Sequence, residues 1–262
     1  MEIMLRKAAV SGTFYPGEKQ RLSVAVDKYI KDSKEMKVKG KLQALIVPHA
    51  GYAYSGIVAG AGYKLLQQKL KEGQKFRKVI LLGPSHFVGF HGASLSKEDF
   101  ITPLGIVKSG KEKLTAEEIS DLPEAHLKEH SLEVQLPFLQ KVLGDFELYP
   151  MVLGEQDNAS ILKLAKVIEE FKDDNTLILI SSDLSHYLAY DTAVKRDTQT
   201  LSNIRDGNMN DLEACGYEPI RVLMQLAKNL GWISILLDYR NSGDTSGNKT
   251  QVVGYAAIAY VQ

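Results

Sequence analysis

Short uninterrupted runs of branched apolar residues alternate along the chain with longer, more polar segments. Three of these runs, Ala44–Val47, Val79–Leu82 and Leu177–Ile180, are each four residues long and are followed directly by Gly, Pro or Ser. Such runs are typical of strands that are buried on both faces of a mostly parallel sheet. They predict three central strands.

The segments between the runs carry apolar residues at spacings of three and four, which indicates amphipathic helices. They include Ser55–Leu70, Ser131–Leu143, Ala159–Phe171 and Ile220–Leu230. Pro137 lies inside the second segment, where it predicts a kink or a restart of the helix. Because strands and helices alternate, the pattern predicts an α/β fold in which helices cover both faces of a mixed, mostly parallel central sheet.

The C-terminal part adds two more predicted strands, Ser234–Tyr239 and Val252–Val261, the second with the pattern of an edge or mixed strand. Polar stretches that could act as linkers are short: Lys31–Lys41 is rich in lysine, and Asn241–Lys249 is rich in Gly and Ser. Neither is typical of a boundary between independent domains. We therefore expect a single domain over residues 1–262.

Composition and charge exclude several classes of protein. The chain has 32 Lys and Arg against 32 Asp and Glu, so it has no overall attraction to nucleic acid or anionic lipid. A single cysteine excludes an internal disulfide and a zinc site made of cysteines alone. The N-terminus lacks the features of a signal peptide, and no apolar run is long enough to span a bilayer. We expect a cytoplasmic protein that binds neither nucleic acid nor a membrane.

Three of the six histidines follow the three predicted central strands. His49 and His86 come after the first two, in segments that contain Pro and Gly, and His186 follows the third in a segment that also contains Asp183. Ligands of open α/β sheets bind beyond the carboxyl ends of the strands. A single histidine after a strand is often only a loop residue or a helix cap, but the three together predict one shared site.

Imidazole is the commonest metal ligand in proteins, and it also acts as an acid or base near neutral pH. Two histidines with one anionic ligand and open coordination positions suit non-haem Fe(II). Zinc accepts two histidines and a carboxylate nearly as well. The ligand types alone therefore leave the metal open.

Two further segments have more than one interpretation. His130 lies between Glu129 and Glu133 at the start of a predicted helix, which is either a solvated helix start or a site that contacts substrate. Cys215 precedes the helical pattern Ile220–Leu230. A thiol near a helix N-terminus gains thiolate character, although the local sequence favours a buried, small apolar side chain. His91 and His126 lie in segments that suggest no role.

Six stretches spread over nearly the whole chain carry a resemblance to a known family: Gly12–Pro16, Val47–Gly56, Leu82–His86, Glu129–Glu133, Ser181–His186 and Val253–Ala257. The sequence resembles the Memo family, whose prokaryotic members are called AmmeMemoRadiSam system protein B. The resemblance implies a fold similar to that of class III extradiol dioxygenases, which are non-haem Fe(II) enzymes that cleave catechol-type rings. The prokaryotic name implies association with an AMMECR-type protein and a radical SAM protein.

The resemblance also implies roles for individual residues. His49 and His86 match the two metal-binding histidines, and His186 matches the catalytic acid–base histidine. Asp183 and Cys215 match positions beside the metal, where the dioxygenases have a Glu. Because a thiolate is a soft ligand, it favours copper or iron.

Other residues of the same motifs complete the candidate site. His130 is a second catalytic candidate. Tyr52, Tyr54, Ser85 and Glu133 are the candidates for contact with a substrate.

Three functions follow from this site. The first is a metal-dependent redox protein, dioxygenase-like, that acts on an unidentified small molecule. The second is a non-catalytic protein that binds a partner or peptide in a vestigial dioxygenase pocket. The third is a zinc hydrolase that uses the same ligands. Iron is the metal that we expect, with copper and zinc as alternatives.

Overall fold

Strands and helices alternate along the computed structural model, which describes residues 5–110 and 114–262. The strands in these ranges are β1 (Leu5–Arg6), β2 (Leu42–Val47), β3 (Lys78–Pro84), β4 (Ala93–Leu95), β5 (Asp99–Thr102), β6 (Gly105–Ser109), β7 (Ile119–Ser120), β8 (Glu147–Leu153), β9 (Thr176–Ser181), β10 (Ile233–Asn241) and β11 (Gly254–Val261). The α-helices are α1 (Lys19–Asp32), α2 (Tyr52–Lys71), α3 (Pro123–Leu127), α4 (Leu136–Leu143), α5 (Asn158–Phe171), α6 (Tyr190–Asp206), α7 (Tyr217–Leu230) and α8 (Ser242–Ser246). A short 3-10 helix, Glu133–Gln135, precedes α4.

The described strands belong to one mixed sheet, whose main path has the order β1-β5-β6-β8-β3-β9-β2-β11-β10. The five neighbours β6, β8, β3, β9 and β2 run parallel to one another, whereas β11 is antiparallel to both β2 and β10. The predicted α/β class with a mostly parallel sheet is confirmed. The strand predicted over Val252–Val261 is an internal antiparallel strand of this mixed sheet, and β10 lies at the edge.

Both faces of the sheet are buried, which explains the uninterrupted apolar runs of the central strands. Along β2, Leu45 and Val47 belong to one apolar cluster, and Ala44 and Ile46 belong to another on the opposite face. Helices α1, α2 and α4 contribute to the first cluster, while α5, α6 and α7 contribute to the second. The prediction of helices on both faces is therefore confirmed.

Proline and capping residues account for the details that the periodicity left open. Pro137 stands in the first turn of α4, where a missing N–H costs nothing, so the helix restarts there after the 3-10 turn. Strand β8 contains Pro150, which interrupts its apolar pattern, and the apolar runs do not predict it. The expected linker Asn241–Lys249 contains α8, which starts with a reciprocal capping box between Asn241 and Asp244.

The N-terminal segment is held in place by a buried ion pair. Arg6, which is 3% exposed, pairs with the carboxylate of Glu133, which is fully buried. The same guanidinium donates hydrogen bonds to the backbone carbonyls of His126 and Glu129. The pair therefore connects β1 to the segment that leads into α4.

Replacement of Arg6 with methionine is expected to lower the free energy of unfolding by about 3 kcal/mol, because it leaves the Glu133 charge buried without its cation. Urea unfolding measures the change. Arg21→Met is the matched control, since Arg21 pairs with Glu18 on the surface of α1 with both side chains mostly exposed. That variant should change stability by less than about 0.5 kcal/mol. Equal losses in both variants would contradict a structural role for the buried pair.

Candidate functional site

His49 and His86 meet at the carboxyl edge of the sheet. They follow β2 and β3, the two parallel neighbours of β9, and the ends of these strands lie side by side in the register. The centroids of the two rings are 5.2 Å apart. His49 is 2% exposed, while the His86 side chain is 27% exposed. One ring therefore lies in the interior of the site and the other lies toward solvent.

Hydrogen bonds determine which nitrogen of His49 is free. Its Nδ1 lies 3.0 Å from the Ser181 hydroxyl, which donates its own proton to the Ser131 carbonyl at 2.5 Å and accepts a hydrogen bond from the Gln135 amide at 2.8 Å. Because the hydroxyl proton is already used, we assign the proton to Nδ1 of His49. The lone pair is then on Nε2, which faces the Cys215 sulfur at 3.2 Å.

His86 is held by a buried carboxylate. Its Nδ1 lies 2.9 Å from Oε1 of Glu129, and its backbone N–H donates to Oε2 of the same residue at 2.7 Å. Burial by itself would raise the pKa of Glu129, but the hydrogen bonds that it accepts from the ring and the backbone of His86 and from the backbone N–H of Ser131 lower it to about 2. The acid is therefore ionised and accepts the Nδ1 proton, which leaves the lone pair of His86 on Nε2.

Cys215 lies in the turn before α7, beside the loop that follows β9. The backbone N–H of Asp183 donates to its Sγ at 3.3 Å, and the Gly216 N–H donates to the Ser182 hydroxyl at 2.9 Å. Burial, together with the charge of Asp183, raises the pKa of the thiol. Without a cation the sulfur is therefore a neutral thiol, and a bound metal ion would deprotonate it.

These three side chains form a set of donors that fits a transition metal. The potential ligand atoms of His49, His86 and Cys215 lie within 4.8 Å of one another. In the histidines the nitrogen that is remote from the site is held by Ser181 or by Glu129, as is usual for metal-ligating histidines. Burial first, and then the charges of neighbouring histidines, lower the pKa of His49 well below 6.5, so its ring is neutral and competent to bind metal.

Asp183 lies beside the cluster formed by His49, His86 and Cys215, but its carboxylate supports the loop of His49. Its Oδ1 accepts the backbone N–H groups of His49 at 2.8 Å and of Ala50 at 3.3 Å. Burial raises its pKa to about 7, although these hydrogen bonds oppose the shift. Among the described residues, the groups whose ligand atoms converge do not include Asp183. Cys215, and not Asp183, therefore completes the group of converging donor atoms.

His186 lies near this cluster, but the ring contact described for it is with Tyr187 and not with His49 or His86. Its loop is anchored to β11 by hydrogen bonds between Leu184 and Gly254 and between Gly254 and Ser185, and its ring contacts that of Tyr187. Burial, followed by the charge of His86, lowers its pKa, although a backbone hydrogen bond opposes the shift. The ring is half-buried and electrostatically coupled to the site.

His130, in contrast, lies within the cluster. Its ring stacks on that of His86 with centroids 4.6 Å apart, and its centroid is 5.5 Å from that of His49. The ring of Phe14 packs against its other side at 4.8 Å. Three histidines therefore surround one small volume, and the third is His130 rather than His186.

The four residues expected to contact substrate differ in their surroundings. Tyr52 is buried and donates its hydroxyl to the Val134 carbonyl at 2.7 Å. The Ser85 hydroxyl donates to a carbonyl within its own loop, and Tyr54 is 48% exposed. Tyr54 is therefore the one of these three whose side chain is open to a ligand.

Glu133 is the fourth of these residues, and its carboxylate is engaged within the fold. Besides Arg6, it accepts the backbone N–H groups of Ala9 and Val10 and the hydroxyl of Tyr15. These contacts favour a structural role, because no oxygen of the group is left for a substrate. Glu129 and Glu133 also have separate partners, although a continuous helix would have aligned them on one face.

Sequence reasoning assigned no role to Glu129, Ser181 or Gln135, which orient the histidine rings. Glu129 begins the family stretch Glu129–Glu133, which was a signal of a role, but its partner His86 is 43 residues away. Nothing in the local pattern of Ser181 or Gln135 points to the site. His126, for which no role was expected, is buried and bonds Ser94 through Nε2, while His91 is exposed.

No helix in the described ranges combines the length and the apolar character needed to cross a membrane. Among solved structures, an uncharacterized protein of Escherichia coli K12 has a similar fold, with a TM-score of 0.50 and 9% sequence identity. The match covers 84% of this chain and 99% of that protein. At this identity the likeness concerns the fold alone.

The similarity to known sequences covers nearly the whole chain. The profile of a family described as Memo-like protein matches residues 6–259. A MEMO1 family protein of Saccharolobus solfataricus is 37% identical, and one of Aquifex aeolicus is 36% identical. Each match covers 98% of this chain and 99% of the relative. The chain belongs to the Memo family.

Proposed function

We propose that His49, His86 and Cys215 bind a single transition metal ion, iron or copper, at a site for redox, dioxygenase-like chemistry on a small molecule. The observation that carries the proposal is the convergence of the two imidazoles and the sulfur within 4.8 Å, with each ring held from its far side. When bound, such a metal can accept or donate an electron and bring a chelating substrate next to dioxygen.

The protein supplies groups that can move protons beside this metal. His130 stacks on His86, and its side chain is 15% exposed, so it can contact a substrate at the mouth of the site. His186 lies on a loop that two backbone hydrogen bonds hold on β11. Both rings are suited to accept a proton from a substrate or return it, because an imidazole exchanges protons near neutral pH.

A second function is favoured by aromatic rings that are exposed beside the site. Phe87 is 57% exposed, and its ring centroid lies 6.5 Å from that of His86; Tyr187 is 70% exposed and contacts the ring of His186. Exposed aromatic side chains are frequent at sites of protein recognition. In this second function the pocket would be a vestigial dioxygenase pocket that binds a partner or peptide without catalysis.

Protein purified without oxygen is expected to contain about one iron or copper ion per chain, as measured by elemental analysis. His49→Ala and His86→Ala should each lose the metal, because each removes an imidazole nitrogen from the ligand set. His91→Ala is the matched control, since His91 is exposed and lies outside the site. Full retention of metal in both site variants would exclude this ligand set, and zinc as the sole native metal would favour the hydrolase.

The third ligand can be identified with Co(II) as a spectroscopic probe. The Co(II)-loaded protein should show the intense near-ultraviolet absorption that arises from charge transfer between a thiolate and the metal. Cys215→Ser should lose this absorption and bind Co(II) at least tenfold more weakly, while Asp183→Asn should keep the absorption. Weaker binding in Asp183→Asn alone, with Cys215→Ser unchanged, would instead identify the carboxylate as the ligand.

Oxygen consumption distinguishes the two functions. With iron loaded and a catechol as the test substrate, we expect O2 uptake that falls by about 10²–10⁴-fold in His186→Gln and His130→Gln, provided that metal content is unchanged. An oxygen electrode measures the rate. The absence of uptake with a series of catechols in the iron-loaded protein would contradict the dioxygenase-like reaction and favour the binding function.

A further inference from the structure

Glu129 lies between two stacked imidazoles. The rings of His86 and His130 are nearly parallel, with an interplanar angle of 22° and centroids 4.6 Å apart. Oε1 of Glu129 lies 2.9 Å from Nδ1 of His86 and 3.5 Å from Nδ1 of His130. Both rings therefore turn the same edge toward one carboxylate oxygen.

The three side chains form a second group whose potential ligand atoms converge, which raises the question of a second metal. The hydrogen bonds of Glu129 argue against that role. Oε1 also accepts the backbone N–H groups of His130 at 2.9 Å and Ser131 at 2.8 Å, and Oε2 accepts that of His86 at 2.7 Å. An oxygen that already accepts several hydrogen bonds has little capacity left for a cation.

The carboxylate instead determines where the imidazole protons lie. Glu129 is 2% exposed, and both of its oxygens accept backbone N–H groups, so the carboxylate acts as a hydrogen-bond acceptor toward the rings. Nδ1 of His86, at 2.9 Å, is therefore the nitrogen that carries hydrogen, and the same carboxylate favours hydrogen on Nδ1 of His130 by electrostatic attraction at 3.5 Å. Nε2 is then the nitrogen of each ring that carries the lone pair and does not face Glu129.

We propose that Glu129 is a positioning residue shared by His86 and His130: it accepts the hydrogen bond of Nδ1–H of His86, attracts Nδ1–H of His130 at 3.5 Å, and thereby leaves the Nε2 lone pair of each ring free. For His86 that lone pair belongs to the metal pocket, and this part of the inference rests on the proposed function. For His130 it makes Nε2 the proton acceptor of the site. One buried carboxylate thus orients a metal ligand and its neighbouring base together.

Nitrogen-15 NMR of the imidazole rings tests the proposal in the metal-free protein, because the chemical shifts of the two ring nitrogens distinguish the tautomers. Spectra of His86→Gln and His130→Gln assign the signals. We expect neutral His86 and His130 of the native sequence to be Nδ1–H tautomers. An Nε2–H tautomer at His86 would overturn the proposal without recourse to any variant of Glu129.

Glu129→Gln removes the charge and keeps the size of the side chain. It is expected to yield a mixture of tautomers at both rings and a ten- to hundredfold loss of affinity for the metal, measured by titration with Fe(II) or Co(II). Glu124→Gln is the control, since Glu124 is exposed in the neighbouring helix α3. Circular dichroism verifies that both variants fold.

The outcomes separate this inference from the proposed function. Tautomers and affinity in Glu129→Gln that equal those of the native sequence would overturn the positioning role. Tautomers that change as expected in a protein that binds no metal would overturn the proposed function and leave the positioning of the two rings intact.

Discussion

The parallel pairing of β3, β9 and β2 is the constraint on which the site depends. Val47 stands opposite Ser181 in the register, and Leu82 stands opposite Ile180, so the three strands end at the same edge of the sheet. Residues that are separated by more than a hundred positions are thereby brought to one place. A shift in this pairing by two residues would move the histidines apart by more than the width of a ring, because a strand rises about 3.3 Å per residue.

Buried hydrogen bonds then convert proximity into defined geometry. The Ser181 hydroxyl connects the ring of His49 with the carbonyl of Ser131 and the amide of Gln135, so the strand end and the turn before α4 are joined. Glu129 and Glu133 lie four residues apart but have different partners. Glu129 bonds the ring of His86, whereas Glu133 bonds residues of the N-terminal segment. Because buried polar groups without partners are costly, such networks permit few alternative arrangements.

The surroundings also explain why the cluster suits a metal better than an unassisted nucleophile. Burial opposes charge on His49 and on Cys215, so the metal-free site contains neutral imidazole and neutral thiol. A cation would reverse that preference, because it stabilises the thiolate and binds the neutral ring through its lone pair. Binding of a metal ion by this group would therefore release the thiol proton, and its affinity would rise with pH.

The sequence by itself determined the fold class and the candidates that follow its strands. Uninterrupted runs such as Leu177–Ile180 predicted buried parallel strands, and the position of His49 and His86 after two of them predicted a common edge, since both features depend on local pattern. Only the tertiary structure decided that His130 rather than His186 packs against the rings of His49 and His86, that Cys215 lies 3.2 Å from His49, and that Glu133 is engaged within the fold. The physical reason is that these contacts join segments separated by tens of residues or more, and their geometry depends on how helices and loops pack onto the sheet, which no local periodicity encodes.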